Sequence, residues 1–210
     1  MPQKKHSLWF HIFDVLLNIV IILAIVGLIR TFLVSPFQVE GSSMLSELEN
    51  DEYIIINKLA YHIGEPERGD VVVFRPPTDH KKHYVKRVIG MPGETVILRG
   101  GYVFIKKPGS SQEIQLEEEY LNEDNQGRTF QHPPSSGNKT KKEFEVPEGY
   151  YFMLGDNRQG SLDSRSFAAN DSGFSSFVQE KDVSGRVWLV ALPVSKIHAL
   201  DTTQYEELAQ

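Results

Sequence analysis

Three short stretches hold the hydroxyl, amine and acid groups from which a hydrolytic site can be assembled. GSSMLSEL, Gly41 to Leu48, offers the hydroxyls of Ser42, Ser43 and Ser46. YVKRVIGMPGE, Tyr84 to Glu94, sets Lys86 beside Arg87. LGDNRQGSLDSR, Leu154 to Arg165, brings Asp156, Asn157, Arg158, Ser161, Asp163 and Arg165. A serine hydroxyl is a poor nucleophile until an adjacent base takes its proton, and with no histidine suitably placed a neutral lysine can be that base. Singly, each stretch has a plainer reading. A Gly-Ser-Ser segment is ordinarily a loop, a strand lysine ordinarily points to solvent, and GDNR is ordinarily a hydrogen-bonded turn. Their joint occurrence, in this order, favours chemistry.

Neutrality is the difficulty for the lysine. At a reference pKa of about 10.4, only ~0.04% of a free lysine is uncharged at pH 7. Burial in an apolar wall lowers that pKa by several units, at ~1.4 kcal/mol per unit. Strand alternation puts Tyr84, Lys86 and Val88 on one face and Arg87 on the other. Lys86 is thus the buried candidate, flanked by apolar surface, and Arg87 is a structural partner for an acid, with Asp156 the candidate.

Other chemistries have weaker support. The chain has no cysteine, which excludes a thiol nucleophile, a disulfide framework and thiolate metal sites. Its seven histidines, His80, His83 and His132 among them, show no metal-ligand spacing, so neither a metal site nor a cofactor is expected. A net charge of -6 disfavours a nucleic-acid partner. RGD at Arg68 to Asp70 runs straight into VVVF and reads as a turn leading into a strand. NKT at Asn138 is a glycosylation acceptor only in a eukaryotic secretory setting, which nothing in the sequence supports.

The elements that must position these groups differ along the chain. VLLNIVIILAIVGLI lies between Asp14 and Arg30, and Val15 to Val34 is long enough to cross a bilayer as a helix of roughly 30 Å. A cleaved signal peptide and a buried core helix are the rivals. The run is long for the former, and no small-x-small cleavage site follows it. Lys4 and Lys5 precede it, so the positive-inside rule puts the N-terminus in the cytoplasm and the rest outside, at the cell membrane. Beyond the anchor, EYIIINKLAY, GDVVVF, YVKRVIG, ETVILRGGYVFI, EGYYFML and GRVWLVALP each read as a strand, punctuated by GEPERGD, GMPGE, RGG and VPEG. The expectation is a mainly β protein: residues 1–34 as cytoplasmic N-terminus and anchor, and 35–210 as one extracytoplasmic antiparallel domain. The tail DTTQYEELAQ reads as a frayed helix or as disordered.

On RTFLVSPFQVEGSSM, GDVVVF, YVKRVIGMPGE, VPEGYYFMLGDNRQGSLDSR and GRVWLVALP, the chain resembles the bacterial type I signal peptidases, membrane-anchored Ser/Lys proteases that remove signal peptides from exported proteins. The resemblance implies a β catalytic core with a smaller β cap inserted at about 101–146. It implies Ser43 as nucleophile, Lys86 as general base, Ser161 as the hydroxyl that orients the lysine, and Asp163, Arg165 and Asp156 as supports. The oxyanion would rest on backbone N–H groups, notably that of Ser43, because Gly41 stands where some members have a hydroxyl. The partners implied are preprotein signal peptides, the lipid bilayer and, as a candidate, the secretion translocon. Ile54, Ile56 and Val88 are chosen as walls of the substrate pocket, because their strands are apolar and flank the motifs. Two departures stand out. Ser46 and Glu47 replace the usual Pro-Thr after the nucleophile, and AANDSGFSSFVQEKDVSG is longer than the usual link. A non-proteolytic homologue that binds exported peptides is the alternative. A self-cleaving repressor type would be cytosolic, which the anchor opposes.

Overall fold

The structure, a computed structural model, describes residues 8–130, 143–168, 173 and 175–208. His132, Asn138 and part of the long segment after Phe167 lie outside the described residues.

The apolar run forms helix α1, Leu8–Leu28. From Trp9 to Leu28 none of it is buried, and by length and composition it can cross a membrane. It begins earlier than the charge pattern suggests, taking in Asp14, and it ends earlier too. A π-helical turn, Ile29–Leu33, leads into strand β1, Val34–Gln38, so Val34 belongs to the β domain. β1 contains Pro36 and pairs only with β2, Tyr53–Asn57, as a residue without an N–H must at a sheet edge.

EYIIINKLAY is strand only as far as Asn57. The Asn57 side chain accepts a hydrogen bond from the Ala60 N–H at 3.1 Å, and one helical turn follows, α2, Ala60–Ile63. The strands β3 (Val71–Phe74), β4 (Tyr84–Gly90), β9 (Tyr150–Leu154), β10 (Val178–Gln179), β11 (Val183–Leu192) and β12 (His198–Ala199) complete the larger sheet. Its order is β1-β2-β11-β3-β4-β9-β10, with β12 on β11, and every pairing is antiparallel. β11 sits between strands from the other end of the sequence, and its register shifts at Val187/Leu189 and Val183/Gly185 bend the sheet. The bend is large enough for β1 and β4, with three strands between them in the order, to line one cleft.

The smaller sheet runs β7-β6-β5-β8, from β5 (Thr95–Arg99), β6 (Tyr102–Lys106), β7 (Glu113–Gln115) and β8 (Glu143–Glu145). It begins upstream of residue 101, because β5 and β6 are one hairpin. Gly100 and Gly101, at φ +63° and +89°, form the turn the RGG signal predicts. Ile89 and Phe152 of the larger sheet pack with Val96, Val103 and Phe144 of the smaller, so the two share a core.

The tail departs from expectation. Leu200 and Tyr205 are buried, Thr202 Oγ1 donates to Asp70 at 2.6 Å, and Tyr205 and Tyr120 hydroxyls lie 3.1 Å apart. The tail is a strap that crosses the turn before β3, and DTTQYEEL conceals this because its anchors are polar. Gly69 in that turn has φ +91°, and a Cβ there would lie 2.1 Å from the Thr203 carbonyl oxygen. Gly69→Ala is expected to cost about 1–3 kcal/mol. The check is a thermal melt of the detergent-solubilised protein, and an unchanged midpoint would contradict the close approach of the tail.

Candidate active site

The loop from Gly41 to Leu48 is held from below by two buried apolar side chains, Met44 and Leu48. From the side it is held by the turn after β9. The Asn157 N–H donates to the Ser43 carbonyl at 3.1 Å, and its side-chain amide donates to the Ser42 carbonyl at 2.9 Å. This contact requires glycine at 155, since a Cβ there would fall 2.4 Å from the Ser43 carbonyl oxygen and 2.2 Å from Ser161 Oγ. Ser43, half-buried, is the hydroxyl of this loop that reaches the lysine. Lys86 Nζ lies 2.6 Å from Ser43 Oγ and also donates to the Val85 carbonyl at 2.6 Å. Ser42 is exposed, and Ser46 Oγ turns toward the Tyr120 carbonyl at 3.5 Å.

Lys86 is buried, against Tyr84 on its own strand face. Burial is the main force on its amine, and with Arg165 it lowers the pKa to about 8 against the opposing pull of Asp163 and Asp156. At pH 7 about a tenth of such a lysine is neutral, against ~0.04% of a free one. Asp163 is wholly buried. Burial alone would raise its pKa, but the Arg165 charge, the fork from Arg165 at 2.8 and 2.7 Å, the Gly155 N–H and Ser161 together hold it below the usual value.

Ser161 is buried beside this acid, but among the described residues its Oγ meets no partner at full hydrogen-bond geometry. The hydroxyl expected to orient the lysine is therefore not bonded to it here. Arg87 points away from Lys86, as alternation requires. It forks onto Asp156 at 3.0 and 2.7 Å, with further bonds to the Gly69 carbonyl, Thr203 Oγ1 and Glu47. Arg158 forks onto Glu118 at 2.9 and 2.7 Å, tying this turn to the segment beyond β7.

Ser43 and Lys86 open onto a cleft of about 250 Å³, lined by Phe37, Val39, Ile54, Val73, Tyr84, Val85 and Leu162, with Gln38, Glu40 and His83 among its polar groups. Of the three residues chosen as pocket walls, Ile54 lines it. Ile56 and Val88 do not. Both are buried further along their strands than the residues that line it, Ile56 in the core that also holds Ile54, with Val71 and Val187, and Val88 with Phe74 and Met153. Phe37 and Leu162 take their place, and each lies inside a stretch already singled out, RTFLVSPFQVEGSSM and LGDNRQGSLDSR. Among the described residues, no group of three or more His, Cys, Asp or Glu side chains is placed to hold a metal ion.

A serine hydroxyl against a buried amine, on an open apolar cleft, is an arrangement a hydrolase can use. The comparisons with known proteins give the family. The family model described as signal peptidase, peptidase S26, matches residues 12–192. Signal peptidase I P of Bacillus subtilis subsp. natto is 36% identical over 197 residues, covering 94% of this chain and 98% of that protein. Signal peptidase I of Bacillus licheniformis is 35% identical over 203 residues, covering 95% and 96%. A solved signal peptidase I from Enterococcus faecalis is 32% identical, covers 60% of this chain and 98% of its own, and superposes with a TM-score of 0.42. The chain belongs to the signal peptidase family, peptidase S26, and is a type I signal peptidase, a hydrolase.

The depressed lysine has a consequence for stability. Between about pH 8 and the ordinary value of 10.5, the unfolded chain carries a proton on Lys86 that the folded chain does not, so stability rises with pH across that window. Below it both states are protonated and the full burial cost remains, about 3 kcal/mol. Lys86→Met is therefore expected to stabilise the protein at pH 6, with a gain that shrinks by pH 10. Denaturant melts at the two pH values test this, and equal stability of variant and wild type at pH 6 would contradict it.

Proposed function

We propose that the protein is a membrane-anchored serine endopeptidase that cleaves N-terminal signal peptides from exported preproteins after small residues, of the Ala-x-Ala type, through a Ser43/Lys86 dyad and an acyl-enzyme. The observation that carries this reading is the 2.6 Å approach of Lys86 Nζ to Ser43 Oγ, by an amine that burial makes a base near neutral pH. Neutral Lys86 takes the Ser43 proton as Oγ attacks the scissile carbonyl, and the Ser43 N–H receives the oxyanion. The ammonium then returns its proton to the leaving amine, and the same base activates the water that releases the acyl group. Asp163, Arg165 and Asp156 brace the turn that grips the nucleophile loop, and Ser161, buried beside Asp163 in that turn, is the hydroxyl proposed to orient the lysine.

Substrate would enter as an extended strand. β1 is a sheet edge, and β9 pairs with β4 only from Arg87 onward, so the stretch Tyr84–Lys86 is left uncovered by β9. A peptide between these two edges would make main-chain hydrogen bonds and send every second side chain into the apolar wall at Phe37, Ile54 and Val85. We place the domain of residues 35–210 outside the membrane, with the smaller sheet as its cap and α1 in the bilayer. The secretion translocon is a candidate neighbour.

The test is incubation of the detergent-solubilised protein with a preprotein carrying an Ala-x-Ala site. Wild type and Ser42→Ala should yield mature product, and Ser43→Ala none. Lys86→Arg should be as inactive as Lys86→Ala, because a guanidinium cannot become neutral. Substantial turnover by Lys86→Arg would overturn the base. The rate should rise with pH through about 8 as Lys86 loses its proton. Orientation is tested separately: protease added outside intact spheroplasts should digest the domain after Val34, and digestion only after lysis would reverse the topology.

A further inference from the structure

We infer that Glu47 is a positioning residue: its carboxylate fastens the loop carrying Ser43 to the strand carrying Lys86 and thereby sets the distance between hydroxyl and amine. The inference rests on the reading of Ser43 and Lys86 given above.

The loop is short, and besides the Ser43–Lys86 approach itself and a long 3.5 Å contact from Ser46 Oγ to the Tyr120 carbonyl, three contacts bear on where it stands. Met44 and Leu48 bury its underside, and Asn157 grips the carbonyls of Ser42 and Ser43. The third contact lies past the nucleophile, where Glu47 Oε2 accepts from Arg87 Nη2 at 3.1 Å. Arg87 is a fixed post, with its side chain 1% exposed and its fork closed on Asp156. Glu47 reaches it from a side chain 26% exposed, so solvent screens the pair only in part. Because Arg87 directly follows Lys86, any slip of the loop against Arg87 is a slip of Ser43 against Lys86.

The backbone of the same loop makes such a tether necessary. Ser46 sits at φ +84°, a left-handed conformation that few non-glycine residues adopt. A proline, with φ locked near about −65°, cannot occupy it. A ring therefore cannot stiffen this loop as it stands, and among the described residues the Glu47 and Leu48 amides bond only to the Met44 carbonyl, at 3.0 and 2.8 Å. The carboxylate does from outside what the backbone cannot do from within. Its loss would not strand a buried charge, because Asp156 still neutralises Arg87.

The experiment uses the full chain in detergent, a preprotein substrate and amide hydrogen exchange. Glu47→Ala should lower kcat roughly tenfold with KM within about twofold, since a misplaced nucleophile slows chemistry without weakening binding. The rising limb of the pH profile should not move, because Lys86 keeps its surroundings. Exchange at the Glu47 and Leu48 amides should quicken. Glu47→Gln, which keeps an acceptor oxygen of the same reach, should recover kcat to within about threefold of wild type. If Glu47→Ala does not fold, Glu47→Asp decides in its place, since its shorter side chain should slow kcat and quicken exchange in the same way. A kcat within about twofold of wild type, or unchanged exchange in the loop, overturns the tether. A shifted pH limb with normal exchange also overturns it, by making Glu47 an electrostatic partner of the base. Cleavage by wild type but not by Ser43→Ala secures the dyad independently, so a silent Glu47 counts against the tether alone. If wild type itself does not cleave, the dyad reading falls while loop exchange still reports the contact.

Discussion

The Arg87 guanidinium, closed in a fork on Asp156 and buried with it, is the interaction on which the site geometry depends. All its N–H groups are used. Asp156 belongs to the turn after β9, Gly69 to the turn before β3, Thr203 to the tail and Glu47 to the Ser43 loop, while the centre of the Tyr120 ring lies 4.0 Å from the guanidinium carbon. Segments distant in sequence are thus referred to one planar group. Removing either partner of a buried pair leaves an uncompensated charge, which costs about 3–5 kcal/mol. The pair therefore matters less for net stability than for fixing where those segments stand.

Alternation on β4 makes this arrangement economical. One strand sends Arg87 to the side where the loops converge and Lys86 to the side where the amine must be dry. The two residues need opposite environments. An arginine is satisfied by acids all round, whereas a lysine that is to act as a base must be kept from too close an acid. Asp163 and Asp156 both pull the Lys86 pKa upward, and Arg165, locked onto Asp163, answers part of that pull. Burial then decides the outcome, leaving the amine near 8 and not at its ordinary value. A second fork, Arg158 on Glu118, holds the same turn from the other side, next to the Asn157 that bonds the Ser42 and Ser43 carbonyls.

The membership of the chain in the signal peptidase family accords with this economy. The catalytic proposal needs few groups, and most of the buried charge around them serves to hold loops. The cleft is correspondingly simple, a wall of apolar side chains from β1, β2, β3 and β4 with the serine and lysine at its margin.

The sequence by itself determined the chemical inventory and the local structure. Absence of cysteine, Ser43 in its glycine-led loop, Lys86 and Arg87 on alternate faces, the apolar N-terminal helix and the Gly100-Gly101 hairpin are local signals, and each was legible. Arg87 as partner of Asp156 could be anticipated because alternation left it no other use. Only the tertiary structure decided which groups meet. β2, β11 and β3 are neighbours although far apart in the chain, and bulges on β11 bend the sheet. Ile54 lies where its core meets the cleft, whereas Ile56, two residues further along the same strand face, and Val88 lie wholly inside cores, a distinction invisible in three equally apolar residues. The tail reads as a frayed helix or as disordered, and of this only the turn Glu206–Leu208 is helical, because its anchors, Thr202, Thr203 and Tyr205, are polar groups that gain order only when Asp70, Arg87 and Tyr120 are already in place. Hydropathy and periodicity report what a segment does with its own neighbours, whereas a hydrogen bond between residues 43 apart, such as that joining Ser43 to Lys86, exists only after register and twist have been set.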